Sequence, residues 1–321
     1  MIVENERGEG CWVGALAADA LAMPVHWYYD RGAMARDYGW VDRYVAPKSP
    51  HADSILWRSS YEALNERGDI LREQARYWGQ RGIHYHQFLA PGENTLNFRL
   101  GMELFRMVRA GGGYDSGAWL ECYRDFMLTP GRHRDTYVEE YHRHFFANYA
   151  RGKKLGDCGV DDEHIGGLAQ VPALISALGS DFSGLREVVR EHVALTHRNR
   201  DVLAAADCLV RIHGVLGAGG DLRGAILAEG SDYVSGRKVE RWVREGDNEV
   251  IGKRLSPACY IKDAFPASLY LAWKYAGDFS GGILANANAG GDNCHRGAVT
   301  GSLLGAECGV GDVWRGGLVG L

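Results

Sequence analysis

An all-helical fold is the class this sequence predicts, and three observations carry the prediction. Apolar residues return every three or four positions, as at Leu96, Leu100, Leu104 and Met107, which share one helical face. Strand-like alternation of apolar and polar residues is scarce. Forty-four glycines against eight prolines fall mainly at the joints between periodic runs, where glycine stops a helix and opens a turn.

The elements follow in order. Cys11 to Met23 is a run of small apolar residues ended by Pro24, which reads as a tightly packed buried helix. Asp30 to Pro50, rich in Gly, Tyr and Pro, reads as a structured loop. Ser59 to Gln80 regains helical spacing through Ile70, Leu71, Ala75 and Trp78. A loop carries His84 to Glu93. A helix is then predicted over Thr95–Ala110, stopped by Gly111-Gly112-Gly113. The same spacing predicts helices over Gly117–Leu128, Asp135–Tyr149, His164–Leu178, Leu185–Leu195, Asp201–Leu216 and Asp221–Ala228. Four more follow, over Ser235–Glu245, Asp263–Ala276, Phe279–Ala289 and Arg296–Cys308. No flexible linker and no fixed-period repeat interrupts the chain, so a single domain over residues 1–321 is expected.

Composition narrows the function classes. The chain has 321 residues, 46% of them hydrophobic and 24% charged, which is ordinary globular usage with ample length for a large core. A net charge of −5 provides no global positive field, which argues against nucleic acid and anionic membranes as partners. The arginines between Arg132 and Arg143 are diluted by Asp135, Glu139 and Glu140, as on a solvated helix face. The seven cysteines are odd in number and none form a CxxC pair, so neither a disulfide framework nor a zinc ribbon is indicated. Met1 to Gly10 lacks the layout of a signal peptide, and no apolar run approaches the ~20 residues that span a bilayer. The expected location is the reducing cytoplasm.

Three separated segments carry a family resemblance. Gly14-Ala15-Leu16-Ala17-Ala18-Asp19-Ala20-Leu21-Ala22-Met23-Pro24 resembles the opening Gly-x-x-x-Gly-Asp-Ala-Leu-Gly-x-Pro helix of the ADP-ribosylglycohydrolases. Gly166-Gly167-Leu168-Ala169-Gln170-Val171-Pro172 resembles that family's Asn-Gly-x-x-Met-Arg-x-x-Pro helix, and Thr196-His197 matches a later Thr-His pair. Gly290-Gly291-Asp292-Asn293-Cys294-His295 resembles its Gly-Gly-Asp-Thr-Asp-Thr loop, with Gly297-Ala298, Gly301 and Gly305-Ala306 following as its small-residue helix. Asp263-Ala264-Phe265-Pro266-Ala267 precedes the last segment at the matching place. The resemblance implies a compact orthogonal multi-helix bundle. It also implies cleavage of the bond between ADP-ribose and a side chain, with two magnesium ions gripping the ribose hydroxyls.

The implied metal ligands are largely replaced. The family's Thr-Asp-Asp-Thr loop aligns with Gly92-Glu93-Asn94-Thr95, and in the late loop Asn293-Cys294-His295 follows Asp292. Four carboxylates fall to two, too few to neutralise a pair of dications. At most one magnesium ion is expected, on Asp292 and Glu93. His295 and Cys294 are ligands that favour zinc over magnesium, but adjacent positions on one turn chelate poorly.

Other titratable residues cluster beside these loops. His84-Tyr85-His86 precedes Glu93, and Asp161-Asp162-Glu163-His164 stands at the entrance of the middle helix. The two aspartates fit helix capping and catalysis equally well. His84 and His86 fit catalysis or ordinary buried hydrogen bonding, and Thr196-His197 fits a helix C-cap. As candidate acids and bases the residues are Glu93, Asp161, Asp162, His84, His86 and His164. As candidate substrate contacts they are Asn94, Gly167, His197, Gly291, Asp292, Asn293, Cys294 and His295. The expected activity is hydrolysis of an N- or O-ribosyl bond in a small molecule or an ADP-ribosylated substrate. The alternative is a non-catalytic relative that binds ADP-ribose or serves structurally, like a crystallin.

Overall fold

A computed structural model describes the backbone of residues 4–321 and the side chains from Arg7 onward. Met1 to Val3, part of the segment read for a signal peptide, lie outside the described residues. The α-helices are α1 (Glu4–Ala22), α2 (Arg31–Tyr38), α3 (Leu96–Gly111), α4 (Ser116–Leu128), α5 (Glu140–Ala150), α6 (Val171–Leu178), α7 (Leu185–Ala194) and α8 (Arg200–Gly217). They continue with α9 (Leu222–Glu229), α10 (Gly236–Glu245), α11 (Asp247–Glu249), α12 (Ile261–Lys274), α13 (Phe279–Asn288), α14 (Asn293–Cys308) and α15 (Asp312–Arg315). Among the described residues there is no β-strand, only isolated bridges such as Val160 with His197 and His164 with Tyr260. The fold is all-α, as expected.

Small residues set the centre. From Gly10 to Ala22 every residue of α1 is buried, and so is every residue of α14 from Asn293 to Ala306. The two helices run antiparallel with glycine against glycine. A Cβ on Gly10 would fall 2.1 Å from the Gly305 oxygen, and one on Gly14 would fall 2.2 Å from the Gly301 oxygen. Around this pair α12 and α13 pack on α14, and α6 packs on α1. Helices buried on all sides have no amphipathic stripe; their signature is small size rather than periodicity.

Besides the unpredicted short helices α11 and α15, the structure departs from the expected elements at four places. The Ser59–Gln80 helix is replaced by short 3₁₀ turns over Leu56–Arg58, Glu66–Gly68 and Arg72–Tyr77. Asn65 and Asp69 accept the backbone N–H groups of Arg67 and Arg72, the Tyr61 hydroxyl bridges Gly68 and Ile70, and Arg72 sits at φ +45°. These side-chain bonds replace helical ones. The Asp30–Pro50 loop contains α2, capped by Asp30 accepting from Ala33 N–H and ended by Gly39 at φ +67°. Residues 135–139 do not begin α5. They are non-helical backbone with a bend at Thr136, which carries Asp135 and Glu139 toward the site. The middle helix is broken into a 3₁₀ turn, Ile165–Leu168, and α6 with Pro172 in its first turn.

Candidate active site

The late loop is built from backbone. Gly290 and Gly291 both adopt left-handed conformations, and a Cβ would meet the Tyr28 oxygen at 2.5 Å and the Pro257 oxygen at 2.1 Å, so only glycine fits. Trp27 N–H donates to the Gly291 oxygen (2.8 Å) and Gly291 N–H donates to the Tyr28 oxygen (2.7 Å). Asp292 N–H donates to the Pro257 oxygen (2.8 Å), which leaves the Asp292 side chain at the first turn of α14. Arg296, fully buried, donates to the Asn286 side chain and to the carbonyls of Asn286 and Gly290, and so clamps the loop from below. Trp27 is held at φ +60°, a conformation a bulky residue rarely adopts, with its ring over His26 at 3.8 Å.

A chain of hydrogen-bonded rings and carboxylates meets at Asp292. His26 Nε2 lies 3.0 Å and His295 Nδ1 2.8 Å from Asp292 Oδ1. His26 Nδ1 lies 2.8 Å from His86 Nε2, and His86 Nδ1 lies 2.6 Å from Asp135 Oδ1. On the other side His295 Nε2 is 2.7 Å from Asn97 Nδ2 and 3.3 Å from Glu139 Oε1. Asn97 Oδ1 in turn accepts from Tyr141 Oη (2.6 Å) and lies 2.8 Å from His142 Nε2. Burial would lower the His295 pKa, but Asp292 and Glu139 outweigh it and hold the imidazole well above its usual range. Asp292 shows the reverse balance: burial would raise it, yet His295 and His26 hold it below the usual carboxylate range. Burial pushes His26 down to about 3.

A cleft of about 130 Å³ opens over these groups. Trp27, Tyr85, Tyr137 and Tyr141 form its aromatic walls; Asp292, His295, Glu139, His164 and Cys259 bring the polar groups. The Trp27 ring meets Tyr85 and Tyr137 edge-on at 4.8 and 4.9 Å. Glu139 Oε2 is buried with no hydrogen-bond partner in the protein, so it can receive a water or a ligand hydroxyl. His164 Nδ1 lies 2.9 Å from Asp162 Oδ1; Asp162 and then Cys259 push its pKa up to about 11. Asp162 is held below its usual value because His164 and His197 outweigh its burial.

The candidates read from the sequence divide by position. Asp292, His295 and His164 line the cleft, and Asp162 supports His164 from behind. His86 reaches the cluster through His26. Gly291 supplies loop backbone, and Gly167 gives room to His197, whose ring a Cβ there would meet at 2.9 Å. His197 is buried, with Nδ1 2.9 Å from Thr196 Oγ1 and its ring packed on Tyr141, and lies outside the cleft lining.

The others are turned elsewhere. Glu93 does not face Asp292: its carboxylate pairs with Arg134 and accepts from Ala90 N–H, and it borders a separate surface hollow. Asn94 donates to the Leu16 carbonyl and to Asp19 (2.8 Å each), and Cys294 Sγ points at the Asp19 carbonyl. Asn293 donates to the carbonyls of Val25 and Ala287. His84 accepts from His86 N–H at Nδ1 and so donates to the Pro24 carbonyl from Nε2, which fixes it as a neutral structural ring. Asp161 accepts from Asn199 at the surface. The two magnesium ions implied by the resemblance therefore do not fit. Asn94, Cys294 and Glu93 are committed to other partners, and two imidazoles stand beside Asp292.

Sequence reasoning missed His26, Asn97 and Glu139. His26 had one signal: it lies two residues beyond Pro24, at the mouth of the helix that carries the first motif. Glu139 lies off the solvated helix face that its spacing predicts, because α5 begins at Glu140 and not at Asp135.

Comparison with known proteins agrees with this architecture. A solved structure titled ADP-ribosylglycohydrolase-related protein complex superposes with a TM-score of 0.62 at 20% identity, covering 98% of this chain and 93% of that one. No curated protein sequence matches. The family model for ADP-ribosylglycohydrolase matches residues 3–319, nearly end to end, and the chain belongs to that family.

Proposed function

We propose that the protein hydrolyses an N- or O-ribosyl bond, in an ADP-ribosyl or smaller nucleoside-like compound, within the cleft between Trp27 and His164. One observation carries this reading. The cleft that holds Asp292 also gathers Glu139, with a buried and unpartnered oxygen, and His164, held protonated by Asp162, between aromatic walls. Its aromatic faces suit a planar base.

The chemistry follows from the groups. Asp292 Oδ2, the oxygen that His26 does not reach, accepts a hydrogen bond from a ribose hydroxyl at the cleft floor. Glu139 takes a proton from a water that attacks the anomeric carbon. The bond from that carbon to the leaving group breaks as His164 donates its proton to the departing nitrogen or oxygen. The transition state has oxocarbenium character, which nearby carboxylates stabilise.

The test is Glu139→Gln against a panel of ADP-ribosyl and nucleoside substrates. Removing a general base typically costs about two to four powers of ten in rate, so kcat is expected to fall at least a hundredfold with binding retained. If the unmodified protein binds ADP-ribose yet turns over none of the panel, the non-catalytic reading replaces this one.

A further inference from the structure

We infer that His26 Nε2, Asp292 Oδ1 and His295 Nδ1 form a site for one divalent ion of the zinc class. Two further acidic groups orient the imidazole ligands from behind. The site departs from the paired magnesium chemistry implied by family membership, and it uses a histidine, His26, that belongs to no family motif quoted above.

The spacing fits coordination. The two histidine nitrogens lie 3.0 and 2.8 Å from the same carboxylate oxygen, and all three donor atoms lie within 4.8 Å of one another. Two ligand bonds of ~2.0–2.1 Å set at right angles to tetrahedral angles subtend ~2.8–3.4 Å, which covers both histidine–carboxylate edges. Two imidazoles and one carboxylate suit zinc and its neighbours; magnesium asks for an oxygen shell. All three side chains are buried, while Asp292 and His295 also line the cleft, so the site is rigid on one side and open on the other.

The groups behind the ligands complete the case. A ligating histidine usually donates its other ring N–H to a carboxylate or carbonyl, and that partner fixes the tautomer. With its Nε2 lone pair on the ion, His26 donates from Nδ1 to His86 Nε2, and His86 donates from Nδ1 to Asp135. Every hydrogen in that chain then meets an acceptor. On the other side His295 donates from Nε2 toward Glu139 Oε1. Asp292 brings one carboxylate to the ion itself, Glu139 stands behind His295, and Asp135 stands two rings away behind His26 and His86.

The experiment is metal binding without substrate, so its failure is separable from failure of the hydrolytic reading. Chelator-treated, folded protein is titrated calorimetrically with Zn²⁺ and with Mg²⁺, and with Co²⁺ by visible absorption. One equivalent of Zn²⁺ is expected to bind, excess Mg²⁺ is expected not to compete, and Co²⁺ is expected to develop bands of a nitrogen-ligated ion. His26→Ala should abolish this binding. His86→Gln keeps all three ligands and guards against a misfolded His26 variant; it should weaken Zn²⁺ about 10–100-fold, the usual effect of losing a supporting group. The assignment is overturned if the folded protein binds no Zn²⁺. It is also overturned if both variants bind as tightly as the unmodified chain, which would place the ion on other groups such as the cysteines.

Discussion

The carbonyl oxygen of Gly301 lies 2.2 Å from the point where a Cβ on Gly14 would stand. Helices α1 and α14 thus touch through their backbones, and the site depends on that contact because α14 carries Asp292 and His295 at its start. Gly14→Ala must push the helices apart, at a cost of about 1–3 kcal/mol or more for overpacking. Gly8, on the same helix, has nothing within 4 Å of its Cβ position. Gly8→Ala should therefore stabilise by about 0.5–1 kcal/mol through helix propensity alone. Thermal melts of the two variants should shift in opposite directions; a shared sign would refute the close-contact account.

Glu93→Gln separates the reading of the sequence from that of the structure. The family alignment puts Glu93 at the metal, whereas its carboxylate pairs with Arg134 beside a hollow distinct from the cleft. Turnover in Glu93→Gln should stay within about threefold of the unmodified protein, because the carboxylate borders a hollow other than the cleft and touches none of the cleft's groups. A loss as large as that expected for Glu139→Gln would return Glu93 to the mechanism.

The contrast shows how much of the molecule was legible beforehand. Helices with one apolar stripe and a clear cap, such as α3 ended by left-handed Gly112 and α9 begun by Asp221, lie within a residue or two of their expected bounds. The Asp292 loop was legible because its glycines are dictated by backbone contacts. Glu93 was misplaced for a reason the sequence does not display. The Gly92 oxygen accepts from Val319 N–H, and a Cβ there would meet the Gly317 oxygen at 2.0 Å, so the C-terminal segment pins the loop in its observed pose. His26 escaped notice because its partner Asp292 is 266 residues away, and no periodicity reports a contact of that kind.

Arg296 offers a test of how the loop is held. Its guanidinium is fully buried without a carboxylate partner and donates to one side-chain and two backbone oxygens. Burial lowers its pKa to about 10, so it remains charged at neutral pH. Lysine keeps the charge but loses the planar fork that reaches the three oxygens. Arg296→Lys should lose roughly 2 kcal/mol or more, since buried acceptors left unsatisfied cost ~1–3 kcal/mol each. Hydrogen exchange should also quicken at the Gly291 and Asp292 amides. Unchanged exchange there would mean that the loop is held by Tyr28 and Pro257 alone.

The pairing of His164 with Asp162 predicts a pH dependence whose sign can be worked out. The folded His164 pKa is raised to about 11, chiefly by the hydrogen bond to Asp162 and then by Cys259. Its unfolded value is about 6.5. A raised folded value means that its stabilisation is complete below about pH 6.5 and is lost progressively as pH climbs toward the folded value. Asp162 is shifted the other way, held low mainly by His164 once burial is offset, so its share is present above its unfolded value of about 3.8 and fades in acid. The pair therefore contributes most between about pH 4 and 6.5. His164→Gln keeps a hydrogen-bonding side chain but removes the charge. The melting-temperature gap between the unmodified protein and this variant should be widest near pH 6 and shrink steadily through pH 7, 8 and 9. A gap that is flat over that range, or that widens with pH, would show that His164 is not held protonated. The same result would remove it as the group that protonates the leaving group.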